Sequence, residues 1–147
     1  MRLTRRHARE WAIQMLTAID LNPPDDIDIF CSDFWNALST LDESDGHMGV
    51  NEKLRPFAEE RVRGVFEHQQ EIDSIIERYL ENYEEDRLGT VERAVLRMGI
   101  WEINYSDVPV PVVINEAIDI VNWFASPKAR PIINAILDRY AKSLENK

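Results

Sequence analysis

The sequence predicts an all-α protein of about seven helices. Apolar residues recur at steps of three and four along most of the chain. No strand-like alternation runs beyond a few residues, and only five glycines interrupt the pattern. At 147 residues the chain is long enough for one domain with a real core.

The elements follow in order. Over residues 4–20, Ala8, Trp11, Ala12, Met15, Leu16 and Ile19 mark one helical face, Thr4 is placed to cap it, and Asn22-Pro23-Pro24 ends it. Residues 25–41 repeat the pattern with Ile27, Phe30, Phe34, Ala37, Leu38 and Leu41. The polar run from Asp42 to Asn51, with Gly46 and Gly49, reads as a loop. Residues 52–82 read as one or two helices. Leu54, Phe57, Ala58, Arg61, Val62 and Val65 make a first stripe, Ile72, Ile75, Ile76, Tyr79 and Leu80 a second, and His68-Gln69-Gln70 marks a bend.

Residues 83–90 read as a solvated turn through Glu84-Glu85-Asp86 to Gly89, with Thr90 as the next cap. The helix that follows is apolar on most sides (Val91, Ala94, Val95, Met98, Ile100, Trp101) and is expected to be central and buried. Asp107-Val108-Pro109 stops it. Residues 111–124 form another apolar helix through Val113, Ile114, Ala117, Ile118, Val121 and Phe124, with Pro111 suited to its first turn. Pro127 and Pro131 bracket a basic turn, and a last helix over 131–144 buries Ile132, Ile133, Ile136, Leu137 and Tyr140.

Charge is distributed unevenly. The net charge is -10, yet the first 19 residues hold four arginines and a single acid, while residues 20–86 hold five basic and nineteen acidic residues. Arg2, Arg5, Arg6 and Arg9 fall at helical spacing and form a stripe. Guanidinium groups suit bidentate phosphate contact and stacking on unpaired bases, and an outward helix N-terminus adds N–H donors, so RNA is the expected anion. The alternative is that these arginines only pair with the acidic body. That acidity opposes nonspecific coating of nucleic acid and favours a basic protein partner.

Several function classes are not expected. His7, His47 and His68 are far apart and no HExxH or CxxC spacing occurs, so no metal is expected. There is no GxSxG, P-loop or dinucleotide fingerprint, so neither catalysis nor a cofactor is expected. No run of about 18 apolar residues exists and no secretory signal is recognisable, which places the chain in the cytoplasm. A single cysteine, Cys31, allows no internal disulfide and reads as a buried, inert thiol. Arg93, Arg97, Glu102 and Glu116 interrupt apolar helices and are expected to join them through salt bridges. Asn134 is either an interior amide tying helices together or a group facing a ligand.

Five segments taken together resemble the NusB family of bacterial transcription antitermination factors. They are RRHARE at 5–10, RVRGVFEH at 61–68 with IDSII at 72–76, DRLGTVERAVLRMGIWEI at 86–103, DVPVPVVINEAIDIVNWF at 107–124 and IINAILD at 132–138. Each alone is weak, but their order and spacing fit nearly the whole chain. The resemblance implies one RNA-binding domain of two small packed helical subdomains, roughly 1–82 and 83–147, with no catalysis. It implies binding of boxA-type single-stranded RNA of nascent transcripts together with NusE, a small-subunit ribosomal protein. That complex joins the elongation machinery on RNA polymerase and suppresses premature termination, notably in ribosomal RNA operons.

By the same resemblance, Arg5, Arg6 and Arg9, with Arg2 before them, match the family's arginine-rich RNA-binding start. The turn from Lys128 to Arg130 aligns with a loop beside the RNA site, where Asn134 also falls, and Glu92 and Thr17 match partner-side positions. The chain departs from the family at Thr17, where an aromatic is frequent. It departs again at Ile132-Ile133-Asn134-Ala135, where phenylalanine–valine–asparagine–glycine is usual, and at Ala125, where glycine is common. Two other readings stay open. One is a protein-only interaction module that homodimerises. The other is a NusB-like accessory domain related to ribosomal RNA methyltransferases, without a methyl-donor domain after residue 147.

Overall fold

A computed structural model describes residues 4–42, 48–80 and 88–145. Among the described residues there are seven α-helices and no strand. They are α1 (Arg5–Leu21), α2 (Ile27–Asp42), α3 (Met48–Glu67), α4 (Gln69–Leu80), α5 (Thr90–Tyr105), α6 (Val110–Phe124) and α7 (Arg130–Glu145), with a short 3-10 turn at Pro127–Ala129. The all-α expectation therefore holds. The contacts divide the chain into two units, 1–63 and 64–147, with the boundary inside α3.

In the first unit, α1 buries Ala8, Trp11, Ala12, Met15, Leu16 and Ile19, the face the spacing predicts. Thr4 caps it, and its backbone N–H donates to Nδ1 of His7 at 3.0 Å, so a histidine takes the glutamate's place in the usual reciprocal cap. Asp26 starts α2 by accepting from the N–H groups of Asp28 and Ile29 at 2.9 and 3.3 Å. Among the side chains of α2 that are described, Cys31 and Trp35 are buried, whereas Ala37, expected inside, is exposed; Leu41, also expected inside, lies outside the described side chains. Trp35 sets this orientation. Its ring meets Trp11 edge-on at 5.7 Å and Phe34 at 5.1 Å, and its indole N–H donates to Glu59 of α3.

Residues 43–47 of the expected 42–51 loop lie outside the described residues, and Met48–Asn51 belong to α3. Pro56 lies inside α3 and removes one ladder hydrogen bond.

In the second unit, His68 separates α3 from α4, at the bend the polar triplet predicts. The 83–87 part of the expected turn, with Glu84-Glu85-Asp86, is outside the described residues. Gly89, not Thr90, is the N-cap of α5. As expected, α5 is central: it packs on α4, α6 and α7 and is buried without interruption from Ala94 to Glu102. It is tied to α4 by Arg97, whose Nε and one terminal nitrogen donate to the two oxygens of Asp73 at 2.8 and 3.1 Å. With buried Ile72, Ile75, Ile76 and Leu80, α4 packs on α5 and α7 within the second unit.

Helix α7 buries Ile132, Ile133, Ile136, Leu137 and Tyr140 as predicted, and Tyr140 donates to the Asn104 side chain at 2.6 Å. Helix α6 buries Val113, Ala117, Ile120 and Val121, but Phe124, expected inside, is 51% exposed.

Candidate nucleic-acid interface

The N-terminal cationic group is built on α1. No acidic residue occurs in its first turn, so the positive end of the helix is left uncancelled there. Arg5 and Arg9, one turn apart, place their guanidinium carbons 5.4 and 5.1 Å from the centre of the Phe57 ring on α3. Arg61 adds a third guanidinium 3.5 Å from that centre and donates to the Phe57 carbonyl at 3.1 Å. One aromatic ring thus gathers three cations. Glu60 balances part of that charge through Arg61 at 3.3 Å.

The sequence treats the arginines as one displayed stripe, whereas the structure grades them. Arg5 is exposed, Arg6 is half-buried and Arg9 is 4% exposed. Arg9 therefore acts within the packed cluster, and Arg5 is its solvent-facing member. Arg2 lies outside the described residues. Further along α1, Thr17 is half-buried, and its hydroxyl is buried without a hydrogen-bond partner among the described residues.

The second group is built on the α6–α7 connection. Pro127 starts the 3-10 turn, the Ser126 hydroxyl accepts from the Lys128 N–H at 3.3 Å, and Ala129 is fully buried beneath. This packing pushes Lys128 outward on an ordered backbone. Arg130 opens α7, is exposed, and donates to the Asn122 side chain of α6 at 2.8 Å. Asn134, one turn further on, is exposed, so it is not an interior amide. Ile132, at the position where the family has an aromatic, is buried.

Glu92 belongs to this group by contact. Its carboxylate, in the first turn of α5, accepts from the Ser126 N–H at 3.1 Å, and the residue is 7% exposed. A Cβ at Gly89 would lie 2.6 Å from the same carboxylate, so a side chain there would push the carboxylate from its present position. Glu92 thus secures the backbone that carries Lys128 and Arg130.

Lys128, Arg130, Asn134 and Glu92 therefore share one neighbourhood of the second unit, and Arg5 and Arg9 share one of the first. The sequence missed three contributors: Phe57 and Arg61, which assemble the first cluster, and Trp123, which is 78% exposed beside Asn122. Trp123 lies off the Val113–Ala117–Val121 stripe, and that was the available signal.

Cys31 is buried, and its thiol is pushed up to about 11, first by burial and then by the Glu59 carboxylate. Among the described residues no cluster of His, Cys, Asp and Glu is placed to hold a metal ion, and no helix is long and apolar enough to cross a membrane.

Comparison with known proteins matches residues 6–142 to the family model described as the NusB family. The transcription antitermination protein NusB of Bacillus subtilis (strain 168) is 36% identical over 144 residues, covering 97% of this chain and 98% of that protein. Among solved structures, T. maritima NusB superposes with a TM-score of 0.75 at 31% identity, over 97% of this chain and 93% of the other. A chain in a crystal structure of the antitermination factors NusB and NusE in complex with dsRNA gives a TM-score of 0.71 at 29% identity, over 95% and 96% of the two chains. This chain, with its arginine-rich first helix and its ordered basic turn, belongs to the NusB family.

Proposed function

We propose that this protein is a transcription antitermination factor. It binds boxA-type single-stranded RNA of nascent ribosomal RNA transcripts together with NusE, and suppresses premature termination by RNA polymerase in the cytoplasm. The observation that carries the reading is the gathering of Arg5, Arg9 and Arg61 on one ring at the acid-free end of α1, in a chain of net charge -10. Arg5 is the solvent-exposed member of that cluster, and phosphate is an anion that a guanidinium group fits in bidentate geometry. The antitermination relatives and the NusB–NusE complex with RNA support the same partners.

In this reading Arg5, with Arg2 and Arg6, contacts the RNA backbone, and Arg9 fixes the cluster. Lys128 and Arg130 add phosphate contacts, Asn134 offers an amide to a base edge, and unpaired bases supply the sequence readout. Thr17 lies on the partner side. Glu92 contributes through the turn it holds. The acidic remainder weakens RNA binding by the chain alone and attracts a basic ribosomal protein, so the RNA complex is tighter with NusE present.

The test is fluorescence anisotropy of a short boxA-type RNA and a scrambled RNA, each titrated with and without NusE. Selective binding that NusE strengthens is expected. Equal binding to both RNAs, or to neither, under both conditions overturns the reading.

A further inference from the structure

We propose that Trp123 is a base-stacking residue: its exposed indole, at the end of α6, stacks on an unpaired RNA base. The inference rests on the RNA-binding reading above and adds a residue to it. The chain has four tryptophans. Three are packed away, at 8% exposure or less for Trp11, Trp35 and Trp101, whereas Trp123 is 78% exposed. The next residue, Phe124, is 51% exposed, so two adjacent aromatic side chains face water at one helix end. Aromatic side chains exposed at one helix end offer ring faces for stacking.

The surroundings indicate which ligand fits. The Asn122 side chain accepts from Arg130, which draws a guanidinium to the turn that carries Trp123. Lys128 is exposed on the same connection, and Asn134 is exposed one turn into α7. Aromatic faces interleaved with cations and amides match the surfaces that hold single-stranded nucleic acid, where the ring takes the base and the cations take the phosphates. The carboxylates nearest in the helix rows do not compete. Asp119, one turn before Trp123, is half-buried and engaged within the protein, and Asp138, one turn beyond Asn134, pairs with Lys142 at 3.0 Å.

The platform is also ordered in advance. The Glu92–Ser126 hydrogen bond and buried Ala129 fix the connection, so little ordering is left for the moment of binding. A second copy of this acidic chain is the competing occupant, and the test separates the two.

The experiment titrates a short boxA-type single-stranded RNA into the full chain while recording anisotropy, tryptophan emission and acrylamide quenching. Because Trp123 is the exposed indole, saturation with RNA should quench its emission and shield it from acrylamide. Trp123→Ala should bind about ten-fold more weakly, and Trp123→Phe, which keeps a ring, within about three-fold of the parent. The slope of affinity against salt should be unchanged in both, because stacking releases no counterions. If the parent binds RNA but its emission and the affinity of Trp123→Ala do not change, the stacking role is wrong and the RNA reading stands. If the parent binds no RNA by anisotropy, both fall. If Trp123→Ala abolishes concentration-dependent self-association in sedimentation and leaves RNA affinity intact, the surface belongs to a second copy and the proposal is overturned.

Discussion

Replacing Glu92 with alanine separates a buttressing role from a displayed partner contact. Two losses follow from its position. The Ser126 N–H loses a charged acceptor at 3.1 Å, which is worth about 1.5–3 kcal/mol when no water takes its place. Ser126 is exposed, so water does take part of that place and the lower end applies. The first turn of α5 loses its only acidic residue, about 0.3–1 kcal/mol of helix-dipole stabilisation. The sum is about 2 kcal/mol, which lowers the melting temperature of a chain this size by about 4–8 °C. Glu92→Gln keeps an acceptor oxygen and loses only the charge, so it should lose about half as much.

The assay is thermal unfolding followed by circular dichroism, beside RNA anisotropy without any protein partner. RNA affinity should fall with stability in Glu92→Ala, because the backbone under Lys128 and Arg130 loosens. A melting temperature within about 1 °C of the parent, combined with weaker binding to NusE, would refute the buttress and return Glu92 to the displayed surface.

Three further outcomes are expected. Gly64→Ala places a Cβ 1.9 Å from the Trp101 indole nitrogen, and Trp101 is buried, so about 3 kcal/mol should be lost; an unchanged urea midpoint contradicts this. Asp73→Ala removes the bidentate partner of Arg97, whose side chain is 8% exposed. Asp73 itself is 30% exposed, so the loss should be about 2 kcal/mol by chemical denaturation rather than the 3–5 of a fully enclosed pair, and a loss below about 0.5 kcal/mol counts against the tie. Cys31 should react with Ellman's reagent at pH 8 far more slowly than a free thiol. Because its folded pKa is raised from 9.0 to about 11, the stability it contributes is complete below pH 9 and lost as pH climbs through about 11. Fast modification of the folded protein contradicts the burial.

How far the sequence reaches is clearest from individual elements. The stripes of α1, α4 and α7 are legible because each has a single apolar face, and every residue predicted inside α1 and α7 is buried. Helix α2 is apolar around much of its circumference, so spacing alone does not fix its inward side. The Trp35–Glu59 hydrogen bond and the Trp11 contact fix it, and both need α1 and α3 in place. The pairing of α4 with α5 was illegible for the same reason, since Arg97 and Asp73 are 24 residues apart and meet only across helices.

At the site, the charge of the N-terminal arginines was legible but their grading was not. Arg9 is buried and packs against Phe57, which is remote in sequence. Trp123 and Phe124 looked like the end of an apolar helix, and only the path of α7 shows that α6 ends with them in solvent.

The central claim is that RNA is held through the arginines at the start of α1. The most direct measurement is the slope of log affinity against log salt for boxA-type RNA, for the parent and for the double variant Arg5→Ala with Arg6→Ala. Each phosphate contact on a single strand contributes about 0.7 to that slope, so the variant should bind more weakly with a slope shallower by about 1.4. Parallel lines for parent and variant, at any affinity, would place the RNA elsewhere on the protein and contradict the account.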